Sequence, residues 1–209
     1  SYSVDEHTFK VVRNMRQMFI NKLCPTLKME YEVIRKLPKI EILYLAGIFH
    51  DLGKGKGGDH SKIGIKIFNK FALRSEMNAS DSFLISWLVE NHLLMSSVAQ
   101  RMDVYDLKTV KNFTKKVNTI EKLDYLYLLT INDIRGTNEE LWNSWKHNLL
   151  KQLYLSARKI LNKEIRIGDK SIINEKKNKL KALFSVKNDV IRGILMQMPD
   201  IYFYKTSLR

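Results

Sequence analysis

Cysteine and proline are nearly missing from this 209-residue sequence, and acidic residues are outnumbered. The single Cys24 cannot close an intramolecular disulfide, which excludes a disulfide-stapled scaffold. Three prolines, Pro25, Pro38 and Pro199, leave long stretches uninterrupted, and strand-like alternation is scarce. No stretch reads as a signal peptide or a membrane span, so a reducing cytoplasm is the expected setting and no membrane partner is expected. Asp and Glu number 22 against 36 Lys and Arg, a formal charge of +14 that favours phosphate-bearing or acidic partners. A basic surface is more often simply solvated, so nucleic acid is not expected as the primary partner.

What is present is apolar residues at helical spacing, 44% of the chain, enough for one main core and a small appendage. Ser3 and Glu6 form a possible capping box, after which Val4, Val11, Met15, Met18 and Phe19 continue one face; His7 then lies in a first turn with its side chain toward the core. Residues 40–52 are apolar on nearly every side and predict the central buried helix, ended by His50 and Asp51. Gly53, Gly55, Gly57 and Gly58 follow with Lys54 and Lys56, predicting a tight loop whose backbone can approach a ligand and which delivers Asp59 and His60. Further helices are expected over 61–74, 80–90, 106–117, 119–134 and 139–164. A break is expected at Gly168, then amphipathic segments over 171–184 and 187–198 and a connector from Met198 to Phe203. Trp142 and Trp145 are expected to pack against the domain, and the lysines at 176, 177, 179 and 181 to form a wet helix face.

Chemistry is concentrated in few residues, because there are only five histidines and four stand beside other ligand-type or turn residues. His50 and Asp51 project about 100° apart on a helix, so both can reach one ion only where the helix end points at it. A carboxylate flanked by imidazoles can bridge two divalent ions, and this donor set suits Mn, Fe, Zn or Mg. A core histidine hydrogen-bonded to an aspartate is the plainer alternative. With His7 upstream and Asp133 downstream on predicted helices, a metal cluster is the favoured reading.

His7, the His50-Asp51 pair and Asp133 resemble the H…HD…D pattern of the HD phosphohydrolase superfamily. Longer strings, from Tyr2 to Thr8, Phe49 to Ser61, Asn91 to Met95 and Leu128 to Tyr154, resemble the uridylyl-removing domain of the bifunctional PII uridylyltransferase/uridylyl-removing enzymes of bacterial nitrogen signalling. The resemblance implies an all-α HD-domain phosphohydrolase fold with a C-terminal helical extension. Its domains are 1–165, the metal-dependent phosphohydrolase, and 166–209, an extension and connector toward ACT domains; the sequence reads as the middle domain of such an enzyme, whose nucleotidyltransferase and ACT domains lie outside it. The implied reaction hydrolyses the phosphodiester between UMP and a tyrosine of the PII protein, so uridylylated PII is the implied partner.

Carried over position by position, the resemblance assigns His7, His50, Asp51 and Asp133 to a first ion and His60 and His92 to a second, with Asp51 as the bridge. One or two divalent ions are implied, Mn2+ or Mg2+ foremost, with Fe or Zn as alternatives. Lys62 and Gly136 depart from the family pattern, where an acidic residue and an alanine are usual; neither is a ligand position. Lys54 reads as the residue that neutralises phosphoryl charge beside the catalytic Asp51, or equally as a solvated loop lysine. Asp59 either orients a ligand histidine or caps the next helix, and Arg135 and Asn138 either touch substrate or end a helix. Lys54, Lys56 and Arg101 are expected to steer an anionic substrate toward an open cleft. His147 reads as a packing or surface residue. Two alternatives stand beside this function: an HD hydrolase of a free nucleotide (a cyclic nucleotide, a dNTP or a guanosine polyphosphate) and a non-catalytic basic interaction module.

Overall fold

The structure is a computed structural model, which describes residues 4–20, 25–55, 57, 60–137 and 142–183, the last twenty of these as backbone only. Ser3, Cys24, Lys56, Gly58, Asp59, Asn138 and the segments expected beyond Leu183 lie outside the described residues. Among the described residues the chain is helical and contains no strand. The helices are α1 (Val4–Ile20), α2 (Lys28–Ile34), α3 (Ile40–Phe49), α4 (His60–Arg74), α5 (Ala79–Asn91), α6 (Leu94–Arg101), α7 (Leu107–Val117), α8 (Ile120–Thr137) and α9 (Ser144–Leu183), with one 3₁₀ turn at Pro25–Leu27. The chain divides into two compact units, residues 1–160 and 161–209, and the helices that position the site belong to the first.

The central helix is α8, not α3 as the apolar run over 40–52 predicts. Leu123, Tyr125, Leu126, Tyr127, Leu128, Leu129 and Ile131 are all fully buried, and α8 packs against α1, α2, α3, α5, α6 and α7. Its tyrosines, Thr130 and Asn132 disguise it as half-polar in sequence. Burial becomes tolerable where polar tips find partners: Tyr125 Oη donates to Lys39 O at 2.8 Å and Asn132 Nδ2 to Leu128 O at 2.8 Å, while Thr130 Oγ1 and Asn132 Oδ1 are buried without one. Helix α3 is next to it, with Ile42, Leu43, Ala46, Gly47 and Phe49 buried against α1, α5 and α8.

Helix α1 lies close on both partners, since Val11 and Met15 are fully buried where α8 presents Gly136 and α3 presents Gly47. A Cβ at Gly136 would stand 2.7 Å from Val11 Cγ2, so the alanine usual in the resembled family would force these helices apart. Burying each of these side chains contributes about 2 kcal/mol, and their contact sets the height at which His7 and Asp133 face each other. Asn78 and Asp106 cap α5 and α7 by accepting from Asp81 N at 2.9 Å and Thr109 N at 2.8 Å.

Three further expectations need correction. Helices α2 and α6 were not anticipated, because segments of seven and eight residues are too short to display a period. Gly168 does not break α9, whose helical backbone runs to Leu183; a lone glycine costs a helix only about 1 kcal/mol. Trp145 is 61% exposed, because α9 turns His147, Leu150, Leu153, Tyr154 and Ala157 inward and leaves Trp145 on the opposite face. Trp142 does pack, its ring 5.1 Å from that of His147.

Candidate metal centre

Two helix C-termini build the centre by the same device. His50 is the C-cap of α3 and His92 the C-cap of α5, and each turns its Nδ1 back to the carbonyl three residues earlier, Gly47 O at 2.8 Å and Val89 O at 2.7 Å. A carbonyl can only accept, so Nδ1 carries the proton and Nε2 is the atom presented to the cluster. Both rings are almost fully buried. Asp51 follows in the turn after α3, His7 comes from the first turn of α1, His60 opens α4 and Asp133 lies near the end of α8.

Their ligand atoms converge. His7 Nε2 is 3.2 Å from His50 Nε2, 3.4 Å from Asp51 Oδ2 and 3.0 Å from Asp133 Oδ1; His50 Nε2 is 3.4 Å and 3.5 Å from the same two oxygens. Donors about 2.1 Å from a common ion stand roughly 3.0 Å apart along an octahedral edge and about 3.4 Å apart along a tetrahedral one. The four residues therefore have the spacing of a coordination shell. A second group, Asp51, His60 and His92, shares Asp51: its Oδ1 lies 3.8 Å from His92 Nε2, and the His60 and His92 ring centres are 5.5 Å apart. Asp51 Oδ1, His60 Nε2 and His92 Nε2 are buried without any hydrogen-bond partner. Orphaned polar atoms are costly in a protein interior, and three that converge fit a divalent ion with nitrogen and oxygen ligands.

The electrostatics agree. Burial pushes the His50 imidazole down, but the hydrogen bonds and charges of Asp133 and Asp51 outweigh it and raise the pKa to about 10. Burial pushes the Asp51 carboxyl up, yet His50 and Lys54 bring it down to about 2, and His50 and His7 hold Asp133 well below the usual carboxylate range. His92 is lowered, chiefly by burial. The carboxylates demand positive charge at the centre of the cluster, which is the property a cation seat requires.

All six sequence-predicted ligand residues are thus brought together. Lys54 joins them, its Nζ 2.5 Å from Asp51 Oδ2 while half its side chain stays exposed. Arg135 is half-buried on the last turn of α8, and Arg101 is exposed at the end of α6. His147 stands apart, donating to Glu30 Oε1 at 2.8 Å. The residues overlooked in sequence are Gly47 and Val89, whose carbonyls orient the two rings. The signal available was a histidine at each helix C-terminus, where an i−3 carbonyl always lies within reach.

Residues 4–129 match the HD domain family. The chain belongs to that family. This HD domain is 43% identical to the bifunctional uridylyltransferase/uridylyl-removing enzyme of Legionella pneumophila (strain Lens) over 99% of the chain and 24% of that enzyme. The enzyme of the same name from Azotobacter vinelandii is 46% identical over 78% of the chain and 18% of its own length, and that of Chromobacterium violaceum 39% over 98% and 24%. The HD domain spans about a quarter of the length of the first of these relatives. As a member of the family it is a metal-dependent hydrolase domain with a cluster able to hold a divalent ion. Among the described residues no helix is long and apolar enough to cross a membrane.

Proposed function

We propose that this HD domain hydrolyses the phosphodiester joining UMP to a tyrosine of a uridylylated PII protein. The observation that carries the reading is the pair of ligand groups sharing Asp51, three of whose buried atoms have no partner within the protein. His7, His50, Asp51 and Asp133 would hold one ion, and Asp51, His60 and His92 a second. Divalent ions there would supply Lewis acidity that lowers the pKa of water toward neutral pH and offsets phosphoryl charge. Mn2+ or Fe2+ suits this mixture of imidazole and carboxylate donors better than Mg2+, which prefers oxygen ligands. The carbonyls of Gly47 and Val89 hold the His50 and His92 rings in the tautomer that presents Nε2.

Lys54 sits where it can serve a phosphoryl group. Its stem bridges from the shared carboxylate to solvent, so its ammonium can pass from Asp51 Oδ2 to a substrate oxygen by rotating about its own side chain. The departing tyrosine oxygen has an ordinary pKa near ~10, so no strong general acid is needed, and nothing in the arrangement calls for a covalent enzyme intermediate. Asp133 keeps 17% of its side chain accessible and Lys54 51%, an opening suited to a residue on a protein loop. The names of the relatives point to the uridylyl group as what is removed.

The test incubates the domain with uridylylated PII and Mn2+, then follows the protein mass and released UMP. Loss of one uridylyl mass with stoichiometric UMP is expected. Preferential turnover of dGTP, a cyclic dinucleotide or a guanosine polyphosphate would transfer the assignment to a free-nucleotide hydrolase. No turnover of any of them by metal-loaded protein would leave an interaction module.

A further inference from the structure

The glycine-rich connection between α3 and α4 divides into two kinds of glycine. Gly55 and Gly57 have positive φ, 78° and 74°, with open space where a Cβ would go, so they shape the turn. Gly53 is different. Its φ is not in the left-handed region, yet a Cβ built on it would overlap the carbonyl oxygen of His60 and stand 2.8 Å from the carbonyl carbon and 2.9 Å from Cα of the same residue. The close approach expected of this loop is therefore made to the chain's own backbone at His60.

On the other side of the same junction, Gly64 lies one turn after His60 and shares its face of α4. A Cβ there would be 3.0 Å from Phe49 O, at the end of α3, and 3.3 Å from Val89 Cγ1, in the last turn of α5. Those two helix ends carry His50 with Asp51, and His92. The first turn of α4 is thus wedged between them, held by a missing side chain on each side. The consequence is the placement of the His60 ring, whose Nε2 is buried and unpartnered beside Asp51 and His92.

We infer that Gly53 and Gly64 are positioning residues for the second ion, fixing His60 over Asp51 and His92 while leaving the first ligand group untouched. The inference rests on the two-ion reading above. It follows because His7 and Asp133 reach the cluster from α1 and α8, while at the end of α3 the Gly64 contact falls on Phe49 O at 3.0 Å and the first-group ligand His50 stands further back, its backbone oxygen at 3.9 Å. A side chain at Gly53 and the His60 backbone cannot both keep their places, and a shift on the His60 side moves only a second-group ligand. At Gly64 the crowding is milder, a few tenths of an ångström, and shifts the helix without removing it.

The experiment compares the unaltered chain with His60→Ala, Gly53→Ala and Gly64→Ala, measuring bound Mn2+ by elemental analysis, stepwise affinities by calorimetric titration and Mn–Mn coupling by electron paramagnetic resonance. Circular dichroism checks the fold. The unaltered chain should bind two equivalents with a coupled spectrum. His60→Ala and Gly53→Ala should each hold one equivalent, bound as tightly as the first ion of the unaltered chain, with the coupling gone. Gly64→Ala should still reach two equivalents at high Mn2+, the second weakened about ten- to a hundredfold, the range found when groups supporting a ligand are altered. Retention of the second ion at full affinity in Gly53→Ala or Gly64→Ala overturns the inference. So does loss of both ions in Gly53→Ala, which would make the glycine a general folding residue. A single equivalent in the unaltered chain would instead remove the two-ion reading itself, before any variant is consulted.

Discussion

Two buried polar clusters sit in the same helical unit and differ in how their atoms are satisfied. Around Glu30, which is fully buried on α2, Oε1 accepts from Tyr127 Oη of α8 and from His147 Nε2 of α9, and Tyr127 stacks on Tyr154 at 4.3 Å. Asp124 in turn accepts from Tyr154 Oη and Arg158. Only Glu30 Oε2 is left without a partner there. At the HD cluster the ligand atoms face one another, and three of them have no partner at all. The first arrangement closes on itself but for that one oxygen and ties helices together; the second is completed only by something added. A histidine beside a carboxylate occurs in both, so the pairing alone does not distinguish a structural site from a functional one.

Substitution should separate the two clusters by crossed effects. Asp51→Ala should reduce Mn2+-dependent hydrolysis of a chromogenic phosphodiester at least about 10³-fold, the scale of losing a central charge-stabilising group, with the helical circular dichroism kept. Near-normal turnover at saturating Mn2+ would dismiss the metal mechanism. Glu30→Ala should do the reverse: unfolding in urea should show a loss of about 3–5 kcal/mol, because His147 and Tyr127 are left buried without their acceptor, while bound metal stays at the level of the unaltered chain.

Proton linkage sharpens the contrast. An ion entering the first ligand group must displace the proton that Asp133 and Asp51 hold on His50, whose pKa is raised to about 10. Apparent Mn2+ affinity should therefore climb about tenfold per pH unit from pH 6 to 8, read by titration calorimetry; a flat profile would show that His50 is not a ligand. At the other cluster burial raises the Glu30 carboxyl, but the hydrogen bonds from His147 and Tyr127 prevail and lower it beneath its ordinary 4.5. A depressed carboxyl contributes stability that is complete above 4.5 and fades as pH falls through the folded value. The stability gap between the unaltered chain and Glu30→Gln, measured in chelator, should thus be constant from pH 7 to 5 and narrow below 4.5. A gap that widens in acid would reverse the assignment.

The sequence by itself determined the helical class and most helix positions, because these depend on a local 3.6-residue period, and it marked the His50-Asp51 pair before a glycine as the start of a ligand set that the family resemblance extended to His60 and His92. Only the tertiary structure decided which helix is central, since Tyr125 and Tyr127 look solvent-seeking until Lys39 and Glu30 are seen to accept from them. Short helices such as α2 and α6 exist because neighbours bury them, and no local period announces that. The same distinction separates His60 and His92, brought to Asp51 by the start of α4 and the end of α5, from His147, brought to Glu30 by α9. All are single histidines in one dimension. Which of them faces a complete set of partners and which faces an incomplete one is a property of packed helices, and packing is where the function of this chain was decided.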